Sequence, residues 1–119
     1  MTKPDVVWVI DDDKSIRWVV EKALQKAGII SRCFSAGNDL LGALDYELPD
    51  ALITDIRMPG MDGLELLDKV QLTHPQLPVI VMTAHSDLES AVSAFHGGAF
   101  EYLPKPFDIK EVVSLAQRA

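Results

Sequence analysis

The sequence predicts an α/β protein built on a doubly wound, five-stranded parallel sheet. Three observations carry that expectation. Short apolar runs and helix-like stretches alternate five times along the 119 residues. The runs are apolar almost throughout, as strands covered on both faces must be. No internal repeat or low-complexity linker interrupts the alternation, so one domain with one continuous core is expected over residues 1–119.

"DVVWVI" reads as the first strand, and the helix after it spans residues 15–27, where Ile16, Val19, Val20, Ala23 and Leu24 recur at helical spacing before a stop at Gly28. "IISRCF" is the second strand. "NDLLGALDY" is a short helix with Leu40, Leu41 and Leu44 turned inward and Gly42 weakening it. "ALIT", residues 51–54, is the third strand, and the turn residues Pro59 and Gly60 lead to a helix over 62–74. A capping box from Asp62 to Glu65 opens that helix and Pro75 ends it.

"VIVMT" is the fourth strand. Ser86 and Glu89 form a second capping box, Leu88, Ala91, Val92 and Phe95 mark the face of the helix it opens, and Gly97 and Gly98 close it. "EYL" is a short fifth strand. Beyond "PKPF", Asp108 caps a last helix that reaches residue 119 without a stop signal, so the natural chain is expected to continue.

Apolar residues make up 48% of the chain and charged ones 24%, the composition of an ordinary soluble globular protein. The longest apolar runs hold about five residues where a spanning helix needs roughly 20. With no signal-peptide pattern, the expected location is cytoplasmic. A net charge of −7 repels phosphate backbones and acidic lipid surfaces, which argues against direct nucleic-acid or membrane binding by this domain. The lone Cys33 reads as a small, half-buried residue, Trp8 and Trp18 as packing residues, and His74 and His96 as surface residues. His85 lies two residues past Thr83 and is a candidate to influence the site described next.

In doubly wound sheets ligands sit beyond the carboxyl ends of the strands, where the winding reverses. Polar residues gather at those ends: Asp11 and Asp12 after the first strand, Asp55 after the third, Thr83 at the fourth and Lys105 after the fifth. Crowded carboxylates repel one another, and the cost is removed only by something positive. Converging carboxylates with water and a carbonyl make a hard, oxygen-only site suited to octahedral Mg²⁺. Asp13 reads instead as the N-cap of the first helix.

Three rival sites fail on spacing. A haloacid-dehalogenase-type phosphatase needs a second acid two residues after its aspartyl nucleophile, and Arg57 stands there. A flavodoxin-type electron carrier needs hydroxyls and glycines after the first strand, where three aspartates would repel its phosphate. An EF-hand starting at Asp11 would put Ile16 at the glycine position and Lys22 at the bidentate glutamate. A nucleotide-binding glycine loop is absent as well.

"DDD" after the first strand, "TDIRMPGMDG" at the third, "MTAHSD" at the fourth and "YLPKPF" at the fifth together resemble the receiver domain of two-component response regulators, over the whole chain. The wording is most similar to receivers of nitrogen-regulating, sigma-54-dependent transcription activators. The resemblance implies a flavodoxin-like receiver fold with strand order 2-1-3-4-5. It implies that Asp55 accepts a phosphoryl group from a sensor histidine kinase. It also implies that Asp12, Asp55 and the main-chain carbonyl of Arg57 ligate Mg²⁺ directly, with Asp11 helping through water.

The chemistry is consistent with the residue types. A carboxylate attacks phosphorus only where the charge on the transferring oxygens is screened by a metal and fixed donors. Lys105, between two prolines, is suited to aim its ammonium at those oxygens, and Thr83 supplies a neutral hydroxyl. The domain is therefore expected to act as a switch that promotes its own phosphorylation and dephosphorylation rather than as an enzyme with a free substrate.

By the same resemblance, Thr83 moves to the phosphoryl group, Tyr102 fills the vacated space, and the helix carrying Leu88, Val92 and Phe95 shifts toward a partner. The implied partners are the kinase, an attached ATPase output domain and, on activation, further copies in a homodimer or higher oligomer. The competing expectation is an interaction module that uses the acids only for structural Mg²⁺.

Overall fold

The computed structural model describes residues 6–56, 60–61, 63–83, 101–104, 110 and 112–114. Among these, five strands form one parallel sheet: β1 (Val6–Ile10), β2 (Ile30–Phe34), β3 (Ala51–Asp55), β4 (Val79–Thr83) and β5 (Glu101–Pro104). Their order is β2-β1-β3-β4-β5, as the receiver resemblance implies. Among the described residues three helices connect β1 through β4: α1 (Lys14–Lys26), α2 (Gly37–Leu44) and α3 (Gly63–Thr73). Lys110 and residues 112–114 are also helical. The helix expected from Leu88 to Phe95, with Ser86, Glu89 and His96, lies outside the described residues.

Because side chains alternate along a strand, successive residues feed two separate cores. Trp8, Ile10, Leu52, Val79 and Val81 pack with Leu40 and Leu44 of α2 and Leu66, Leu67 and Val70 of α3. Val7, Val9, Ile53, Ile80, Met82 and Leu103 pack on the other face with Val20, Ala23 and Leu24 of α1 and with Val112. That division is the double winding the sequence predicts, and it corrects the expectation of one continuous core, because a sheet covered on both faces keeps the two sets of side chains apart. β1 and β3 are buried along almost their whole length, whereas β2, at the edge, alternates between exposed and partly buried residues up to Phe34.

α1 ends as Gly28 predicts. Gly28 has φ +79°, the Ile29 amide donates to the Leu24 carbonyl at 2.9 Å and the Gly28 amide to the Gln25 carbonyl at 3.1 Å, the paired bonds of a Schellman motif. Leu24 and Ile29, both buried, complete it with their apolar contact. Trp8 is buried as expected, with the Arg32 guanidinium 5.4 Å from its ring centre and no hydrogen-bond partner for its indole nitrogen among the described residues. Trp18 departs from expectation: it is 60% exposed on the outer face of α1, beneath the Lys22 ammonium. His74 is half-buried just past α3, its amide donating to the Val70 carbonyl at 2.6 Å.

Candidate metal and phosphoacceptor site

Chain winding reverses between β1 and β3, because β1 runs on to β2 on one side while β3 begins the march outward on the other. Ile10 pairs with Thr54 in that seam, so the next residues along, Asp11 and Asp55, arrive side by side at its carboxyl end. One ligand oxygen from each of Asp11, Asp12 and Asp55 lies within 4.8 Å of the others. The three acids expected to converge do so.

Their surroundings differ. Asp11 is fully buried and Asp55 nearly so, while Asp12 is exposed at the rim. Asp11 Oδ1 accepts the Asp13 amide at 2.9 Å, and Asp55 Oδ1 accepts the Ile56 amide at 2.9 Å. Each buried carboxylate is thus oriented by a main-chain donor. Asp13 turns away: its Oδ1 accepts the Ser15 amide at 2.8 Å and caps α1, as expected.

This donor set fits a small hard divalent cation. All ligand atoms are carboxylate oxygens, two of the acids are buried as like charges, and trans oxygens around Mg²⁺ are separated by about 4.2 Å at its usual bond length, so small rotations close the set. A softer metal would call for imidazole or thiolate, and Cys33 lies on edge strand β2, where its thiol donates to Glu21 Oε2 of α1 at 3.8 Å. Burial first, and then the Glu21 carboxylate, push that thiol above its ordinary range, which opposes a reactive role.

The backbone of β4 and β5 carries two further expected residues. Asp55 pairs with Met82, so Thr83 follows at the same sheet edge, and Thr83 pairs in turn with Pro104; Tyr102 pairs with Val81. Arg57, His85 and Lys105 lie outside the described residues, as do Leu88, Val92 and Phe95.

Two contributors are absent from the sequence-based expectations. Gly63 opens α3 pressed against the end of β3, its amide donating to the Ile56 carbonyl at 2.7 Å; a Cβ there would lie 2.1 Å from the Asp55 carbonyl oxygen. The sequence holds no signal for this close approach, because the group that Gly63 meets is a main-chain carbonyl. Arg17, on α1, donates from Nη1 to the Asp11 carbonyl at 2.6 Å. No residue pattern singles it out.

The family model for the response regulator receiver domain matches residues 7–117. The DNA-binding transcriptional regulator NtrC of Salmonella typhimurium is 61% identical over 114 residues, which cover 96% of this chain and 24% of that protein. The chain thus spans about a quarter of the length of the curated relatives it matches. A solution structure of the apo receiver domain of nitrogen regulatory protein C superimposes with a TM-score of 0.88 at 59% identity, covering 98% of this chain and 94% of that one. The BeF3-activated form of the same receiver domain gives 0.85, again at 59% identity, covering 99% and 95%.

Proposed function

The chain belongs to the response regulator receiver domain family, and from that membership we propose that it is a phosphorylation-activated switch whose phosphoacceptor is Asp55. The observation that carries the reading is the meeting of Asp11, Asp12 and Asp55 at the winding reversal, with Oδ1 of Asp55 accepting the Ile56 amide. The donor is a phosphohistidine on a sensor histidine kinase. A carboxylate oxygen of Asp55 attacks phosphorus, the P–N bond breaks, and the imidazole leaves with a proton. The product is an aspartyl phosphate, which water later hydrolyses at phosphorus to return the carboxylate.

Asp12, Asp55 and the main-chain carbonyl of Arg57 would hold Mg²⁺, with Asp11 acting through water. When bound, Mg²⁺ supplies the positive charge that screens the transferring oxygens from the nucleophile. Asp55 Oδ1 is engaged by the Ile56 amide, which fixes the carboxyl plane. Lys105 neutralises charge on the phosphoryl group and Thr83 donates its hydroxyl to it.

Thr83 then couples the site to the rest of the domain: Tyr102 follows it inward, and the surface bearing Leu88, Val92 and Phe95 is repositioned, with His85 tuning the loop between. Residues 1–119 then form the receiver of a longer regulator, a reading supported by the DNA-binding transcriptional regulators NtrC, of whose length the matched region makes up 24%; the receiver resemblance implies that such a regulator is cytoplasmic, carries a sigma-54-directed ATPase output domain and oligomerises on activation. No helix among the described residues is long and apolar enough to cross a membrane.

Incubation with Mg²⁺ and acetyl phosphate tests the reading. One phosphoryl mass is expected on the intact protein, labile to alkali and lost in Asp55→Asn. An unchanged mass in the parent protein would instead favour a constitutive interaction module in which the acids hold a structural ion.

A further inference from the structure

The turn between β1 and α1 carries two of the three clustered acids, and it is short: Asp11 ends the β1 ladder, Asp12 and Asp13 follow, and α1 begins at Lys14. The Asp11 amide still donates to the Phe34 carbonyl of β2 at 3.3 Å, so the upstream end is held by the sheet. Its carbonyl has moved beyond the sheet and accepts the Arg17 guanidinium at 2.6 Å. Arg17 also donates its own amide to the Asp13 carbonyl at 3.1 Å. One residue of α1 therefore grips the turn on both sides of Asp12.

We propose that Arg17 is a positioning residue for the acidic site, fixing through the Asp11 carbonyl the peptide that presents Asp11 and Asp12. The inference rests on reading the cluster as a Mg²⁺ site. Asp12 is exposed, and no hydrogen bond to its side chain is seen among the described residues, so its direction is set by the peptide geometry around it. Without the guanidinium, the Asp11–Asp12 peptide can rotate and the cluster spreads. Arg17 is also a cation within reach of the site, and its field alone repels a divalent ion. The two roles predict opposite signs: loss of positioning weakens Mg²⁺ binding, whereas loss of the field tightens it.

Arg17→Met keeps the apolar stem and removes both donor and charge; Arg17→Lys keeps the charge and one donor to the carbonyl. Three readouts are followed in the whole protein: Mg²⁺ affinity by calorimetric titration, amide shifts of Asp12 and Asp13 in metal-free protein by NMR, and acetyl phosphate uptake against Mg²⁺ concentration. Arg17→Met is expected to bind Mg²⁺ about tenfold more weakly, the lower end of what loss of an outer partner costs a metal site. Its metal-free amide shifts at Asp12 and Asp13 move, and the Mg²⁺ concentration that gives half its maximal phosphorylation rate rises in step with the weaker binding. Arg17→Lys is expected to recover most of the affinity. Equal or tighter Mg²⁺ binding by a folded Arg17→Met overturns the positioning role, as does a failure of Arg17→Lys to recover any of a loss. Absence of Mg²⁺ binding by the parent protein overturns the metal-site reading itself, and with it this inference.

Discussion

At Gly63 a single hydrogen stands where any other residue would place a carbon 2.1 Å from the Asp55 carbonyl oxygen. Backbone cannot yield as a flexible side chain does, so the end of β3 and the start of α3 must part to admit a methyl group. Gly63→Ala is expected to cost about 1–3 kcal/mol, the usual range for overpacking, and to slow acetyl phosphate uptake because the displaced peptide carries Asp55. Urea unfolding and the phosphorylation rate check the two effects. Cys33 illustrates burial acting on chemistry. Because desolvation and then Glu21 raise its pKa, the folded chain disfavours the thiolate: stability is intact below the ordinary thiol pKa and declines as pH rises above it toward the folded value. Labelling by a thiol reagent should lag behind that of an unfolded peptide until alkaline pH, and Glu21→Gln should accelerate it at a given pH.

The ends of α1 are set by local chemistry at both termini. Asp13→Ala removes the bond to the Ser15 amide and is expected to cost about 0.5–2 kcal/mol of stability. It should leave Mg²⁺ binding little changed, because the contact that orients Asp11 comes from the main-chain amide of residue 13. Thermal unfolding together with a Mg²⁺ titration separates those two contributions. Gly28→Ala, at φ +79°, is expected to lose about 1 kcal/mol because an alanine pays for the left-handed conformation that glycine adopts freely. These boundaries were legible in the sequence because capping depends on residues adjacent in the chain. β2 shows the limit of that legibility: its apolar letters suggest full burial, but the exposure of Ile30 follows from its place at the sheet edge, which no local pattern encodes.

Across the whole molecule, cation binding and folding are linked, since a site assembled from β1 and β3 does not exist in the unfolded chain. Mg²⁺ at a hundred times its dissociation constant should stabilise the domain by about 2.7 kcal/mol, visible as a rise in melting temperature that Asp12→Ala reduces. The switch is constrained by similar magnitudes. Moving a two-state population from 1:99 to 99:1 takes about 5.5 kcal/mol, and two hydrogen bonds to a charged phosphoryl group contribute roughly 3–6 kcal/mol. With so little margin, the unphosphorylated domain is expected to hold an active-like minority. Relaxation-dispersion NMR should detect exchange around residues 88–95; flat profiles there would contradict the balance proposed.

The alternation of apolar runs, the caps of α1 and the acids at strand ends were determined by the sequence, because each depends on near neighbours or on a period of two or 3.6 residues. From these followed the sheet, its two covered faces and the candidates Asp11, Asp12 and Asp55. Only tertiary structure decided which acids meet: the β1/β3 register sets Asp11 beside Asp55, while the cap on α1 takes Asp13 away. It alone revealed Gly63 and Arg17, whose contacts are with main-chain carbonyls. Every residue carries a carbonyl of the same kind, so the letters hold no mark of the one that a distant hydrogen or guanidinium will meet.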